Sequence, residues 1–345
     1  MIGDAATTLP LSAALAALIA AAAASYGMTL ILRPFLLRIA LARPNARSSH
    51  KQPTPQGGGI AVVAATLAIL LTGVAMLGVQ SGIAWPQVAA VIIATLLLAV
   101  TGFADDVRST GPALRLLLQI VALGVVIYTL PDEVRVAPIL PLWSERVLLL
   151  IAGLWFVNLV NFMDGLDWMT VAEAVPVAGG LALAGLFGLL PPLATLTACA
   201  LLGAIVGFAP FNRPVARLFL GDVGSVPIGL ILAWLLFLLA ANGHLAAAVL
   251  LPLYYLADTT ITLARRLARG ERVWDAHRTH FYQQATDNGL SVSAIVGHVF
   301  AVNLGLAVLA AATIARPSMA TNVVALVLGS ALVGWLLWRF SRGRR

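Results

Sequence analysis

Two adjacent carboxylates close an apolar run in the stretch Gly102-Phe103-Ala104-Asp105-Asp106. Like charges side by side repel, so the pair is best tolerated beside a cation, either a metal ion or an arginine. A solvated helix end with Arg108 as partner is the plain alternative. A second group, Asn158-Leu-Val-Asn161-Phe-Met-Asp164-Gly165-Leu-Asp167, repeats a polar residue every third position. On a helix of about 3.6 residues per turn each such step drifts by about 60°, so all four share one face only if the helix unwinds, and Gly165 is a natural place for that. Bridging between helices explains Asn158 well and explains two carboxylates beside Asn161 poorly. The third group is Phe211-Asn212-Arg213-Pro214 followed by Leu220-Gly221-Asp222-Val223-Gly224-Ser225. Glycines flanking an Asp at the start of a span let backbones approach and leave amides free at a helix N-terminus, which suits phosphate with a metal ion. Asp222 as a simple N-cap is the alternative there. In Asp275-Ala-His277-Arg278-Thr-His280, imidazole and guanidinium groups suit phosphate oxygens, unless the loop is merely solvated. Finally, His50-Lys51-Gln-Pro53-Thr54-Pro55-Gln56-Gly57-Gly58-Gly59 carries the only lysine of the chain. A compact ammonium binds phosphate as a point charge, while the glycines also fit a flexible helix start. Carboxylates for Mg²⁺ together with cations around phosphate describe phosphoryl transfer.

A membrane scaffold must position these groups. The chain has 345 residues, 61% of them hydrophobic and 10% charged, with a mean hydropathy of +0.97. Soluble domains carry about 25% charged residues, so a soluble enzyme, a disordered chain and a fibrous repeat are excluded. Continuous apolar runs, without alternation, argue for an all-α polytopic membrane protein and against a barrel. Taking about 20 apolar residues per crossing, eleven spans are expected, near 9–32, 58–78, 84–103, 113–130, 146–162, 170–189, 191–209, 224–241, 244–263, 291–315 and 319–338. The split at Pro191-Pro192 rests on a tight turn, without which the count is ten.

Eighteen of the 21 basic residues fall on alternate loops and the C-terminal tail, leaving Arg135, Arg146 and Arg316 opposite. That places the crowded side in the cytoplasm, with the N-terminus periplasmic and the C-terminus cytoplasmic. The net charge of +7 is then topological and implies no nucleic acid. Ten of the fourteen acids also fall on the cytoplasmic side, Asp258 and Glu173 among them, and ionisable groups at span ends are by default functional. No basic residue precedes Arg33, so the first span lacks the start of a cleaved signal and is expected to stay. A lone Cys199 gives neither disulfide nor metal signature. No linker divides the chain, so residues 1–345 are expected to form a single membrane domain. Gly203-x-x-x-Gly207 fits either an internal helix contact or a homodimer.

In this order the motifs resemble those of the polyprenyl-phosphate N-acetylhexosamine-1-phosphate transferases, glycosyltransferase family 4. The resemblance runs from about His50 to Gln283. It covers Thr54-Pro55 with Gly58-Gly59, the Asp105-Asp106 pair, Asn161 to Asp167, and Gly221-Asp222-Val-Gly224-Ser225. It implies transfer of a sugar 1-phosphate from a UDP-N-acetylhexosamine to undecaprenyl phosphate in a bacterial inner membrane, with Mg²⁺ (or Mn²⁺) and release of UMP. By that resemblance Asp105, Asp106 and Asp222 are catalytic, with Asp222 and Asp105 as metal ligands. Lys51, Asn161, Asp164, Asn212, Arg278 and His280 match substrate-binding positions. Asp105 is expected to orient or deprotonate the lipid phosphate.

Three departures stand out. Tyr282 and Gln283 occupy positions where the family commonly has histidine, and Trp168 stands where Gly is usual. They look like the branch that initiates O-antigen or related lipopolysaccharide chains, with GlcNAc or a 6-deoxy sugar such as FucNAc or QuiNAc, and unlike the peptidoglycan branch. A proton- or ion-coupled transporter is the rival class, but transporters bind near the midplane, often between inverted repeats. A CDP-alcohol phosphotransferase would need Ala-Arg after Asp164-Gly165, where this chain reads Leu-Asp-Trp-Met.

Overall fold

Hydrocarbon offers a peptide backbone no partners, so each apolar run closes its hydrogen bonds within a helix. The computed structural model describes residues 8–42, 53–77, 85–108, 110–272 and 277–342. Lys51 and Asp275 lie outside these described residues. The helices are α1 (Leu11–Ile39), α2 (Gly59–Leu77), α3 (Trp85–Val107), α4 (Pro112–Tyr128), α5 (Leu142–Met163), α6 (Met169–Leu186), α7 (Pro192–Asn212) and α8 (Asp222–Leu239). A π turn, Ala240–His244, leads to α9 (Leu245–Leu250), α10 (Leu253–Ala268), α11 (Phe281–Asp287), α12 (Val292–Ala315) and α13 (Met319–Phe340). Two short strands, β1 (Leu41–Ala42) and β2 (Thr54–Pro55), pair antiparallel with Leu41 opposite Pro55.

The expected all-α polytopic class is what the structure shows. Among the described residues nine stretches are long and apolar enough to cross a membrane, one of them Asp222–Leu250 taken through its kink. Two places account for the difference from eleven. Helix α4 is apolar but has only 17 residues. The run expected as a span over 244–263 is two helices, because Leu251-Pro252 interrupts it and proline supplies no amide hydrogen. A turn at Asn242 and Gly243, the latter at φ +85°, separates it from α8. Helix α10 is also polar on its inner side: Tyr254, Tyr255, Asp258, Thr259, Thr262 and Arg266 are buried, at helical spacing.

Helix α8 is the axis of the fold. Its stretch is 94% buried, against 22% for α1 and 28% for α13 at the periphery. Helices α3 and α5 pack along α8, while α7 packs against α1, α2 and α6. Without a hydrophobic drive between helices in lipid, such contacts depend on close van der Waals fit at small residues. A Cβ on Gly59 would stand 2.2 Å from the Gly224 Cα, and one on Gly102 would stand 2.4 Å from the Asp222 carbonyl group, so α2 and α3 both cross α8 at its first turn. The Gly203/Gly207 pattern is used inside the chain, since Cβ atoms there would meet the Leu18 and Ala22 carbonyl oxygens of α1 at 2.1 and 2.2 Å. That assigns the motif to α1–α7 packing and not to a homodimer.

Candidate active site

Helices α12 and α13 supply their own N-caps, Ser291 and Ser318, which accept from Ala294 N and Thr321 N. Helix α8 has no cap side chain of its own. Instead the Asp106 carboxylate, arriving on α3, accepts from the Asp222 N–H at 2.9 Å and the Val223 N–H at 3.1 Å. Two orphan amides at the positive end of a helix thereby find an anion. Gly221 must be Gly for this to happen: its φ is +78° and a Cβ would fall 2.4 Å from Asp106 Oδ2. The glycine-rich segment supports the same turn from the other side. Gly58 N and Gly59 N donate to the Phe219 and Leu220 carbonyls, Phe219 N donates to the Pro55 carbonyl, and the Gln56 amide donates to the Asp106 carbonyl.

On this platform two other carboxylates face each other. Asp105 Oδ1 accepts from Thr110 N at 2.6 Å and Thr110 Oγ1 at 2.7 Å, and its Oδ2 accepts from Arg115 Nη1 at 2.8 Å. The same Arg115 nitrogen lies 3.6 Å from Asp222 Oδ2. Asp222 Oδ1 accepts from Asn161 Nδ2 at 2.8 Å, and that amide also reaches Ser225 Oγ at 2.9 Å. Asp164 follows α5 and accepts from the Thr170 hydroxyl. Enclosure pushes the Asp164 carboxyl well above the ordinary carboxylate range; the Thr170 hydrogen bond opposes this, and the Asp222, Asp106 and Asp167 charges add to it. Among the described residues no three His, Cys, Asp or Glu side chains converge as a closed metal site. Asp105 and Asp222 nevertheless offer an all-oxygen pair, and a hard cation such as Mg²⁺ needs only one or two carboxylates, keeping waters or phosphates as its other ligands.

A second buried carboxylate repeats the capping device. Asp258, fully buried on α10, accepts from Phe281 N at 3.1 Å and Tyr282 N at 3.2 Å, the first amides of α11. It also lies 3.2 Å from His280 Nδ1 and accepts from the Tyr254 and Thr262 hydroxyls. Tyr282 then ties α11 to the central site, since its hydroxyl donates to the Phe162 carbonyl at 3.1 Å. Gln283 accepts from His280 N and donates to that same hydroxyl. Burial raises the Tyr282 phenol far above its usual range.

All three departures from the family pattern therefore have partners. Tyr282 and Gln283 brace the loop, and Trp168, held at φ +63°, donates its N–H to Asn212 Oδ1 and its indole N–H to the Ala209 carbonyl. A left-handed backbone costs a non-glycine residue roughly 1–2 kcal/mol, which these two bonds offset.

Tyr282 also explains Gly165, where a Cβ would stand 2.1 Å from the phenol oxygen. Gly165→Ala should cost about 1–3 kcal/mol of stability through overpacking, read as a lower thermal midpoint in detergent. The cost should shrink in a Tyr282→Phe background, where that oxygen is gone. Equal costs in both backgrounds would mean the two residues do not compete for this space.

The structure thus gathers Asp105, Asp106, Asp222 and Asn161 at the first turn of α8, with Asp164 beside them. Asn212 is buried and spends its amide internally, on Trp168 N and the Leu218 carbonyl. Arg278 pairs with Asp287 and Thr286, and His280 is buried against Asp258 between His277 and Tyr282. The cation beside the acidic pair is Arg115, not the Arg108 that sequence proximity suggests. Sequence spacing does not mark Arg115 or Thr110 as site residues, because each meets Asp105 only once the chain has turned after α3. Asp258 carries a signal of its own, an acid inside an apolar run.

Comparison with known proteins agrees with this picture. Residues 88–240 match Glycosyl transferase family 4. The chain is 30% identical over 292 residues to a phospho-N-acetylmuramoyl-pentapeptide-transferase of Synechococcus sp. (strain JA-2-3B'a(2-13)), with 75% of this chain and 79% of that protein covered. It is 24% identical over 298 residues to a probable undecaprenyl-phosphate N-acetylglucosaminyl 1-phosphate transferase of Bacillus subtilis (strain 168), with 79% of this chain and 80% of the relative covered. A decaprenyl-phosphate N-acetylglucosaminephosphotransferase of Mycobacterium leprae is 25% identical over 294 residues, covering 74% of this chain and 72% of that protein. With these relatives and nine membrane-crossing stretches among its described residues, the chain is a multi-pass bacterial membrane protein and belongs to glycosyl transferase family 4.

Proposed function

We propose that the chain, as one membrane domain, transfers an N-acetylhexosamine 1-phosphate from a UDP-sugar to undecaprenyl phosphate at the cytoplasmic face of the inner membrane and releases UMP. The observation that carries this reading is the meeting of Asp105 and Asp222, from two helices, around one guanidinium at the glycine-lined start of α8. Asp105 and Asp222 would hold a divalent cation, Mg²⁺ or Mn²⁺, whose chemistry is to neutralise charge on the diphosphate as UMP departs. Thr110 and Asn161 aim the two carboxylates, and Asp106 fixes the turn that carries Asp222. An oxygen of the lipid phosphate forms a bond to the sugar-bearing phosphorus, and the bond from that phosphorus to the UMP oxygen breaks. A phosphate monoester with its second pKa near 6 is already ionised at neutral pH, so positioning matters more than a strong base. Asp105, with three donors on its carboxylate, is placed to orient rather than to take a proton. Asn161 and Asp164 are assigned to the nucleotide sugar, and Arg278, His280 and Lys51 to phosphate.

The product starts a lipid-linked surface polysaccharide such as O-antigen. A second reading is favoured by the relatives named phospho-N-acetylmuramoyl-pentapeptide-transferase: that the chain serves a cell-wall precursor. The test is UMP release by purified protein with undecaprenyl phosphate and Mg²⁺. The sugars offered are UDP-GlcNAc, UDP-FucNAc, UDP-QuiNAc and UDP-MurNAc-pentapeptide. Release with one of the first three is expected. Release with the pentapeptide alone would move the protein to the cell-wall branch, and proton-coupled uptake into vesicles without UMP would make it a transporter.

A further inference from the structure

Asp105 and Asp222 each have one oxygen already committed to the protein, whereas Asp106 has both. Asp105 Oδ1 accepts from two Thr110 donors, and Asp222 Oδ1 accepts from Asn161. The oxygens left for a cation are Asp105 Oδ2 and Asp222 Oδ2, and these are the two that Arg115 Nη1 approaches, at 2.8 and 3.6 Å. Arg115 stands on the first turn of α4, a turn with no acidic residue of its own. A cation there faces the positive end of the helix dipole, so the position is unfavourable on local grounds. Its partners across the helices account for it. The side chain is 36% exposed, against 13% for Asp105, so it has room to swing aside.

We infer that Arg115 is a resident counter-ion of the Asp105/Asp222 pair: it must leave both Oδ2 atoms when a divalent cation binds, and its freed guanidinium then serves the substrate's diphosphate. This rests on the metal-dependent transferase reading above. A monocation neutralises only one of two carboxylates, so a divalent cation competes with it for the same atoms. Planar guanidinium groups pair with phosphate oxygens in a bidentate fork. One side chain thereby keeps the empty carboxylates from repelling and later meets the anionic substrate.

The test is titration of the full chain in detergent with Mn²⁺ alone, followed by electron paramagnetic resonance, for wild type, Arg115→Gln and Arg115→Lys. Arg115→Gln should bind Mn²⁺ on the order of tenfold more tightly, because a partly exposed competing charge is gone. Arg115→Lys should stay near wild type. In steady-state transfer at saturating metal the Gln variant should show a raised KM for the UDP-sugar. A merely structural role would weaken both metal and substrate binding. Unchanged or weaker Mn²⁺ binding in Arg115→Gln, with an unaltered thermal midpoint, overturns the exchange. No Mn²⁺ binding by wild type overturns the exchange and the metal centre together. Tighter Mn²⁺ binding in Arg115→Gln, in a protein that releases UMP from no sugar, would leave the exchange standing and remove the transferase reading alone.

Discussion

Asp222→Ala is expected to lower sugar 1-phosphate transfer by about 10³-fold, the scale of losing one preorganised charge-stabilising group in a water-poor site. The fold should survive the change. The backbone N–H of residue 222, not its side chain, is what Asp106 holds, and alanine keeps that amide. What disappears is the oxygen pair itself: Oδ1, aimed by Asn161, and Oδ2, which faces Arg115. Asp222→Asn preserves shape while removing the charge, and should lose nearly as much. The measurement is UMP release against substrate concentration, with the thermal midpoint of each variant in the same detergent. Turnover above a tenth of wild type in a folded Asp222→Ala protein would remove this residue from the centre of the reaction.

Asp106→Ala should do something different. Its two oxygens receive the Asp222 and Val223 amides, so alanine leaves two donors without partners at the crossing of α3 and α8. Each such group costs about 1–3 kcal/mol, and loss of an anion at the helix N-terminus adds up to ~1 kcal/mol. A loss of stability of about 3–5 kcal/mol follows from these terms together. Hydrogen exchange at the Asp222 and Val223 amides should accelerate, and activity should fall because Asp222 rides on that turn. Asp106→Asn should sit between, since its carbonyl oxygen still accepts from one amide while its NH₂ opposes the other. An Asp106→Ala protein as stable as wild type, yet inert, would assign the residue to metal or substrate instead of to the helix.

The sequence by itself determined the class of this protein and the neighbourhood of its chemistry. Bilayer crossing demands about 20 apolar residues, a local property, so the helices could be read from hydropathy wherever a run was continuous. Acids at the ends of such runs are costly, so Asp105, Asp106, Asp164 and Asp222 stood out without any structure. Only the tertiary structure decided how those acids divide their work. Asp106 and Asp222 are 116 residues apart, and no periodicity links them. Arg115 displaces Arg108 as the cation because α4 turns back on α3, and adjacency in sequence says nothing of that. Helix α10 reads as a span because its apolar residues are plentiful; that Asp258 and its hydroxyl partners face inward is settled by packing. Tyr282 beside Gly165 has the same origin, a contact between α11 and the turn after α5 that excludes one methyl group. Hydropathy and residue type are local and survive in the sequence, whereas the pairing of a carboxylate with an amide or a guanidinium exists only once distant segments share a few ångströms of space.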